Sequence, residues 1–172
     1  NLQGGVTINA EVGQPYGVIK GTDYTYDADG NKIINPLTGV PVATGSSAIS
    51  IGCYTPDWTG GIYNSFTYKG LSLGFLIDMQ KGGDIWSLDM YYGLSSGLYP
   101  ETAFTNDLGN PVRDPIVGTP GNYGAKSGGY IIEGVNVVIG VISPNKPRVN
   151  ASDADGFGTG ALHKSAFVYD AS

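Results

Sequence analysis

In the stretch DWTGGIYNSFTYKGLSLGFLID (57–78), apolar residues alternate with small polar ones on both sides of a Lys-Gly dipeptide. A period of two marks a β-strand, and a two-residue break containing Gly marks a tight hairpin turn. With Lys69-Gly70 as the turn, Tyr68 faces Leu71, Phe66 faces Leu73, Asn64 faces Phe75 and Ile62 faces Ile77. One face of this hairpin is then apolar except for Asn64. The other carries Thr59, Gly61, Tyr63, Ser65 and Thr67, followed by Ser72, Gly74, Leu76 and Asp78. A solvated sheet face usually carries Lys, Glu and Arg, and this one carries almost none. Two environments suit the pattern. In a soluble sandwich the apolar face meets a second sheet. In a transmembrane barrel it meets lipid, while the small polar face looks into a lumen and aromatics such as Trp58 and Tyr68 sit near the interfaces.

Elsewhere the pattern is weaker. GGVTINAEVG (4–13) sets Val6, Ile8, Ala10 and Val12 against Thr7, Asn9 and Glu11, which predicts a strand. YTYDADGNKIINPLTGVPV (24–42) predicts a hairpin reversing at DADGN, where Asp, Gly and Asn tolerate the turn angles. YIIEGVNVVIGVI (130–142) predicts a strand or a short hairpin, and AFVYDAS at the end predicts the first residues of a strand. Between Asp84 and Gly129 no strand is predicted, and the apolar spacing offers no helix. So long a stretch without regular structure is functional or disordered, and its aromatics argue against disorder. The predicted fold class is all-β, built of antiparallel strands and hairpins with long loops.

Composition sharpens this picture. The chain has 172 residues with 28 Gly and 12 Tyr, and only 14% of it is charged, against about 25% for an average soluble domain. That bias suits strands and turns. A net charge of −6, with nine Lys and Arg scattered singly, gives no electrostatic footprint for a nucleic acid or an anionic membrane surface. Cys53 is the single cysteine, so no intrachain disulfide or Cys-based zinc site can form. No run approaches the ~20 apolar residues of a membrane helix.

Candidate chemistry is thin. Asp27, Asp29 and Asn31 have alternate oxygens like a calcium loop, yet Gly falls at the fourth position and no Glu at the twelfth, so an Asp-Gly turn is the better reading. Asp153 and Asp155 in SDADGFG read the same way. His163 has no neighbouring Cys or second His to complete a metal site, and no Gly-x-Ser-x-Gly elbow accompanies it for acyl transfer. Glu101 and Glu133 form no persuasive glycosidase pair. GGDIW and GTPG lack the lysine and helix of a phosphate loop. The sequence therefore predicts no catalytic residue, no metal and no cofactor. Trp86, Tyr91, Tyr92 and Tyr99 are better candidates, because aromatic faces suit sugar rings and protein partners. The competing reading packs them inside their own loop.

IGCYTPDWTGGIYNSFTYKGLSLGFLIDMQKGGDIWS resembles a block near the C-terminal end of the SusC/RagA family of TonB-linked outer-membrane proteins. The shared features are a Pro-Asp-aromatic-x-Gly-Gly segment, an aromatic-Tyr-Lys-Gly hairpin and an Asp-x-x-x-Gly-Gly-Asp-Ile run. VGQPYGVIKGTDYTYDADGNKI precedes it, and SGLYPETAF, GGYIIEGV and FVYDAS follow in the order that the family has. The resemblance implies a 22-stranded outer-membrane β-barrel that imports glycans or peptides, with a SusD-like surface lipoprotein as lid and TonB as energy source. Because plug, TonB box and most strands are missing, it further implies that the chain is one partial segment of the barrel domain. In that reading 12–54 is extracellular loop, 55–82 the barrel hairpin with its periplasmic turn at 69–70, 83–167 a long extracellular loop, and 168–172 the start of the next strand. Outside its barrel the hairpin would then need cover from the chain's own loops, a second copy or detergent, and self-association or loops folded over the stripe are expected. The alternative is a secreted β-sandwich that binds carbohydrate.

Overall fold

A computed structural model describes residues 5–45, 49–150 and 162–172. Its strands in chain order are β1 (Thr7–Asn9), β2 (Val18–Gly21), β3 (Ile33–Ile34), β4 (Ile49–Cys53), β5 (Trp58–Tyr68), β6 (Leu71–Lys81) and β7 (Asp84–Trp86). After the helix α1 (Leu88–Ser96) come β8 (Gly118–Thr119), β9 (Asn122–Tyr123), β10 (Tyr130–Ile131), β11 (Val135–Val138), β12 (Val141–Pro144), β13 (Arg148–Val149) and β14 (Val168–Asp170). The chain is mostly β and its sheets are largely antiparallel; one pairing, β3 with β11, is parallel.

The hairpin forms in the register that the alternation predicts, with Tyr68 opposite Leu71, Phe66 opposite Leu73 and Trp58 opposite Lys81. Lys69 and Gly70 close it at φ 45° and 85°. Positive φ at both central residues gives a turn whose twist matches the strands. Among the described residues nothing else joins this sheet, which has two strands and no buried residue. Phe66 stacks on Phe75 across the strands with ring centroids 6.2 Å apart, yet the two keep 59% and 41% of their surface exposed. Among the described residues no loop buries the apolar stripe.

The remainder makes a body of short ladders. β1, β2 and β4 form an antiparallel sheet whose Val18 and Ile19 are buried. The 24–42 segment reverses at 27–31 as predicted, and a second time between Asn35 and Val40. Asp27 carboxylate oxygens accept from the backbone of Asp29 and Asn31 and from the Asn31 amide, so these oxygens are spent on the turn. Asp153 and Asp155 lie outside the described residues. β11 and β12 form the short hairpin foreseen at 130–142, and β3 adds to β11 in parallel. Buried Asn136 locks that junction by donating to Ile34 O and Asn145 Oδ1. β13 brings in Arg148, which is buried and donates to Gly129 O and to the Asp107 carboxylate.

Among the unpredicted elements are α1, the strand β7 before it, and the short strands β2, β4, β8, β9 and β13. Ser87 caps α1 by accepting from Met90 N, and Gly97 ends it in the left-handed conformation at φ 76°. Its nine residues include aromatics and Gly, weak helix formers, so tertiary packing decides. That packing is local: Tyr91 and Leu94 meet Phe167, with Trp86, Leu88, Met90 and Tyr99 around them. β7 exists because β14 pairs with it, Val168 opposite Trp86 and Asp170 opposite Asp84. The expected strand at FVYD is therefore present as β14.

Candidate functional site

Two places among the described residues of the body bear on what the chain can meet from outside. The first surrounds α1 and holds the four aromatics singled out in the sequence. Trp86 leaves β7, and its indole N–H donates to Lys164 O at 3.2 Å. Tyr91 is 5% exposed, meets Phe167 edge-on at 5.2 Å and accepts from Lys164 Nζ at its hydroxyl. The Lys164 ammonium also lies 3.9 Å from the Tyr91 ring centroid. Burial lowers the Lys164 pKa and raises that of Tyr91. Tyr99 donates to the Asp89 carboxylate, and that bond is the main reason its phenol pKa is raised. Tyr92, half exposed and edge-on to Tyr91 at 5.0 Å, is the one of the four with a large free face. The structure thus brings all four together around one small core, and it spends Trp86 and Tyr91 on internal packing. A helical residue's direction decides this, and no strand-or-loop reading of the segment contains it.

Behind this cluster lies His163, buried at 8% exposure with its ring 4.8 Å from Tyr24. Burial pushes its pKa down, against the opposing pull of the Pro41 and Val42 carbonyls. Ser165 beside it donates to Asp23 at 2.6 Å. These contacts bind the 163–167 segment to the first loops. They present no nucleophile to a substrate. Glu101 sits in the middle of the short 3-10 turn Pro100–Thr102 after α1. Among the described residues no group of three or more His, Cys, Asp or Glu is arranged to hold a metal.

The second place is a cleft of about 410 Å³ that no motif in the sequence announces. Tyr26, Gly30, Asn31 and Lys32 form one wall; Glu133, Gly134, Val135 and Pro144 form the other. Val135 N donates to Lys32 O at 2.8 Å, which ties the walls together at the floor. Gly134 allows that approach, because a Cβ there would lie 2.5 Å from Lys32 O and the residue sits at φ 153°. Lys32 reaches back over the Tyr24 ring at 4.1 Å, and Tyr24 meets Tyr26 edge-on. Residues from opposite ends of the sequence line the cleft, so no motif announces it. The chain matches no known family model and no curated protein sequence.

Proposed function

We propose that the chain is a non-catalytic piece of a TonB-dependent outer-membrane nutrient importer, supplying one hairpin of barrel wall and the extracellular loops beside it. The observation that carries this reading is the β5–β6 hairpin. Its two strands have 11 residues each, the ~9–11 that a tilted strand needs to cross a bilayer. Its apolar face is bare in the isolated chain, the opposite face is small and polar, and Trp58 and Tyr68 mark the two ends of β5. Such a surface is an aggregation hazard in water and an ordinary barrel wall in lipid. The sandwich alternative asks for a second sheet against that face, and no strand packs there among the described residues.

In this reading the transported nutrient is a glycan or a peptide, TonB acts through the intact transporter, and the SusD-like lid meets the exposed loops, Tyr92 foremost among the four aromatics. The test is membrane fractionation of the intact protein. Recovery in the outer-membrane fraction as a heat-modifiable, protease-resistant barrel is expected. Recovery as a soluble secreted protein would overturn the reading.

A further inference from the structure

The β11–β12 hairpin ends in a tip that is apolar on every side, and we propose that this tip inserts shallowly into the surface of an uncharged lipid bilayer. Val138 stands opposite Val141 on one face and Val137 opposite Ile142 on the other, with Ile139 at the apex. All five are exposed, Ile139 at 99% and Val141 at 67%. The turn itself is locally unfavourable. Ile139 lies at φ 50°, a left-handed backbone that Asn or Gly adopts readily and a β-branched residue does not. The described part of the chain gives Ile139 no packing in return, so its side chain is placed for a contact outside the chain.

Size, composition and reach select lipid as the occupant. The exposed surface of the five residues equals about three whole side chains, roughly 200–400 Å² of apolar area. A stable dimer buries about 800 Å² on each partner. A second copy would also cover one face of the hairpin and leave the other wet, whereas a bilayer closes around all sides. Protein interfaces are anchored by Tyr, Trp and Arg inside a polar rim. The tip has none of these, and no charged residue occurs from Val135 to Asn145. On a chain of net charge −6, an uncharged tip suits a zwitterionic headgroup layer and gains no attraction to an anionic one. Buried Asn136, bonded to Ile34 O and Asn145 Oδ1, fixes the hairpin to the body, so the residues from Val137 to the apex project about 10 Å. That reach matches the ~5–10 Å to which apolar side chains enter the headgroup boundary, where water still satisfies the peptide groups of the turn. In the importer reading the lipid-facing wall is β5–β6, and the tip is a separate contact on a segment assigned to the outside of the cell.

A probe at the tip tests this in the whole chain. Cys53→Ser removes the native thiol, and Val141→Cys carries a nitrobenzoxadiazole fluorophore observed with phosphatidylcholine vesicles. The β5–β6 stripe is itself expected to enter lipid, so the readout is local: a blue shift of the fluorophore and its quenching by spin-labelled lipid. Quenching should be stronger from a spin label near the headgroup than from one deep in the acyl chain. Both signals are expected, and neither should change when salt is raised, since no charge holds the tip to the headgroups. Ile139→Asn relieves the turn and keeps the hairpin register, and it should lower the lipid partitioning of the tip roughly tenfold. Membrane fractionation of the intact protein tests the barrel wall alone, so the two readings fail separately. An aqueous spectrum on vesicle-bound chain, no vesicle binding at all, or equal quenching in the Ile139→Asn variant would overturn the proposal. A blue shift that grows with protein concentration in the absence of lipid would also overturn it, and would assign the tip to a second copy.

Discussion

The molecule contains two hairpins closed by the same device and surrounded in opposite ways. At β5–β6 and at β11–β12 a two-residue X-Gly turn has positive φ at both positions, Lys69-Gly70 and Ile139-Gly140. In both, the turn fixes which residues face each other. The short hairpin is then stitched into the body by β3 on one side and by the buried amides of Asn136 and Asn145. Its long counterpart, though richer in apolar residues, receives no strand and no cover among the described residues. Turn chemistry therefore sets register and says nothing about burial, which depends on what the two faces meet.

The largest test of that contrast is Phe75→Arg. If the stripe lies at mid-membrane in the intact barrel, the change should cost about 2–4 kcal/mol and reduce the folded outer-membrane fraction. In the isolated chain Phe75 is already 41% exposed, so the same substitution should leave the body's unfolding midpoint unmoved. Asn136→Ala probes the other hairpin. It removes donors to Ile34 O and Asn145 Oδ1 at a buried site, and a loss of about 1–3 kcal/mol by denaturant titration is expected. Smaller still is Ile139→Asn. A β-branched residue at φ 50° is strained, and with 99% exposure Ile139 gains no internal packing in return. Replacement should raise stability by roughly 1 kcal/mol, visible as a higher midpoint with unchanged register.

The smallest effect separates body from hairpin by pH. His163 has its pKa depressed by burial, so the neutral ring is the form that the fold favours. Its contribution is fully present above the ordinary value of 6.5 and is lost as pH falls through that value toward the depressed one. Lys164 and the carboxylate of Asp23 face it with opposite effects, and Tyr24 packs on its ring. Acid should loosen the 163–167 segment, read as faster amide exchange at Ser165 and Ala166. Exchange within β5–β6 should follow only the intrinsic pH dependence. His163→Phe should remove the acid sensitivity of the body.

How much of this was legible follows the same division. The hairpin register could be read from the sequence because both strands and their turn are contiguous, and alternation at period two leaves one way to align them. At 130–142 the same contiguity narrowed the reading to a strand or a short hairpin, and β14 was legible as a strand from its own residues without a partner. The pairing of β7 with β14 was not, since three residues of DIW have no signal apart from a partner on the far side of the loop. Helix α1 left two local marks, Ser87 before it and Gly97 after it, but its weak formers hid it between them. The aromatics were legible as a cluster. Their directions were not, because Tyr91 and Tyr92 point to different surroundings only once the helix is known. The cleft was wholly silent, since its walls are over a hundred residues apart and meet only through the parallel β3–β11 pair.

The bond between Ser165 and Asp23 spans 142 residues. Contacts of that separation must close a very long loop before they return any energy, whereas a two-residue hairpin closes in about 1–10 μs. The two regions therefore acquire structure on different clocks. During synthesis the apolar hairpin can zip as soon as Lys81 is free, while the contact between Ser165 and Asp23 has to wait for a segment made about half a chain later. In the interval the greasiest surface of the molecule is formed and unguarded. A pause in synthesis after Lys81 is therefore expected to leave this surface open to aggregation for longer than a pause before Trp58.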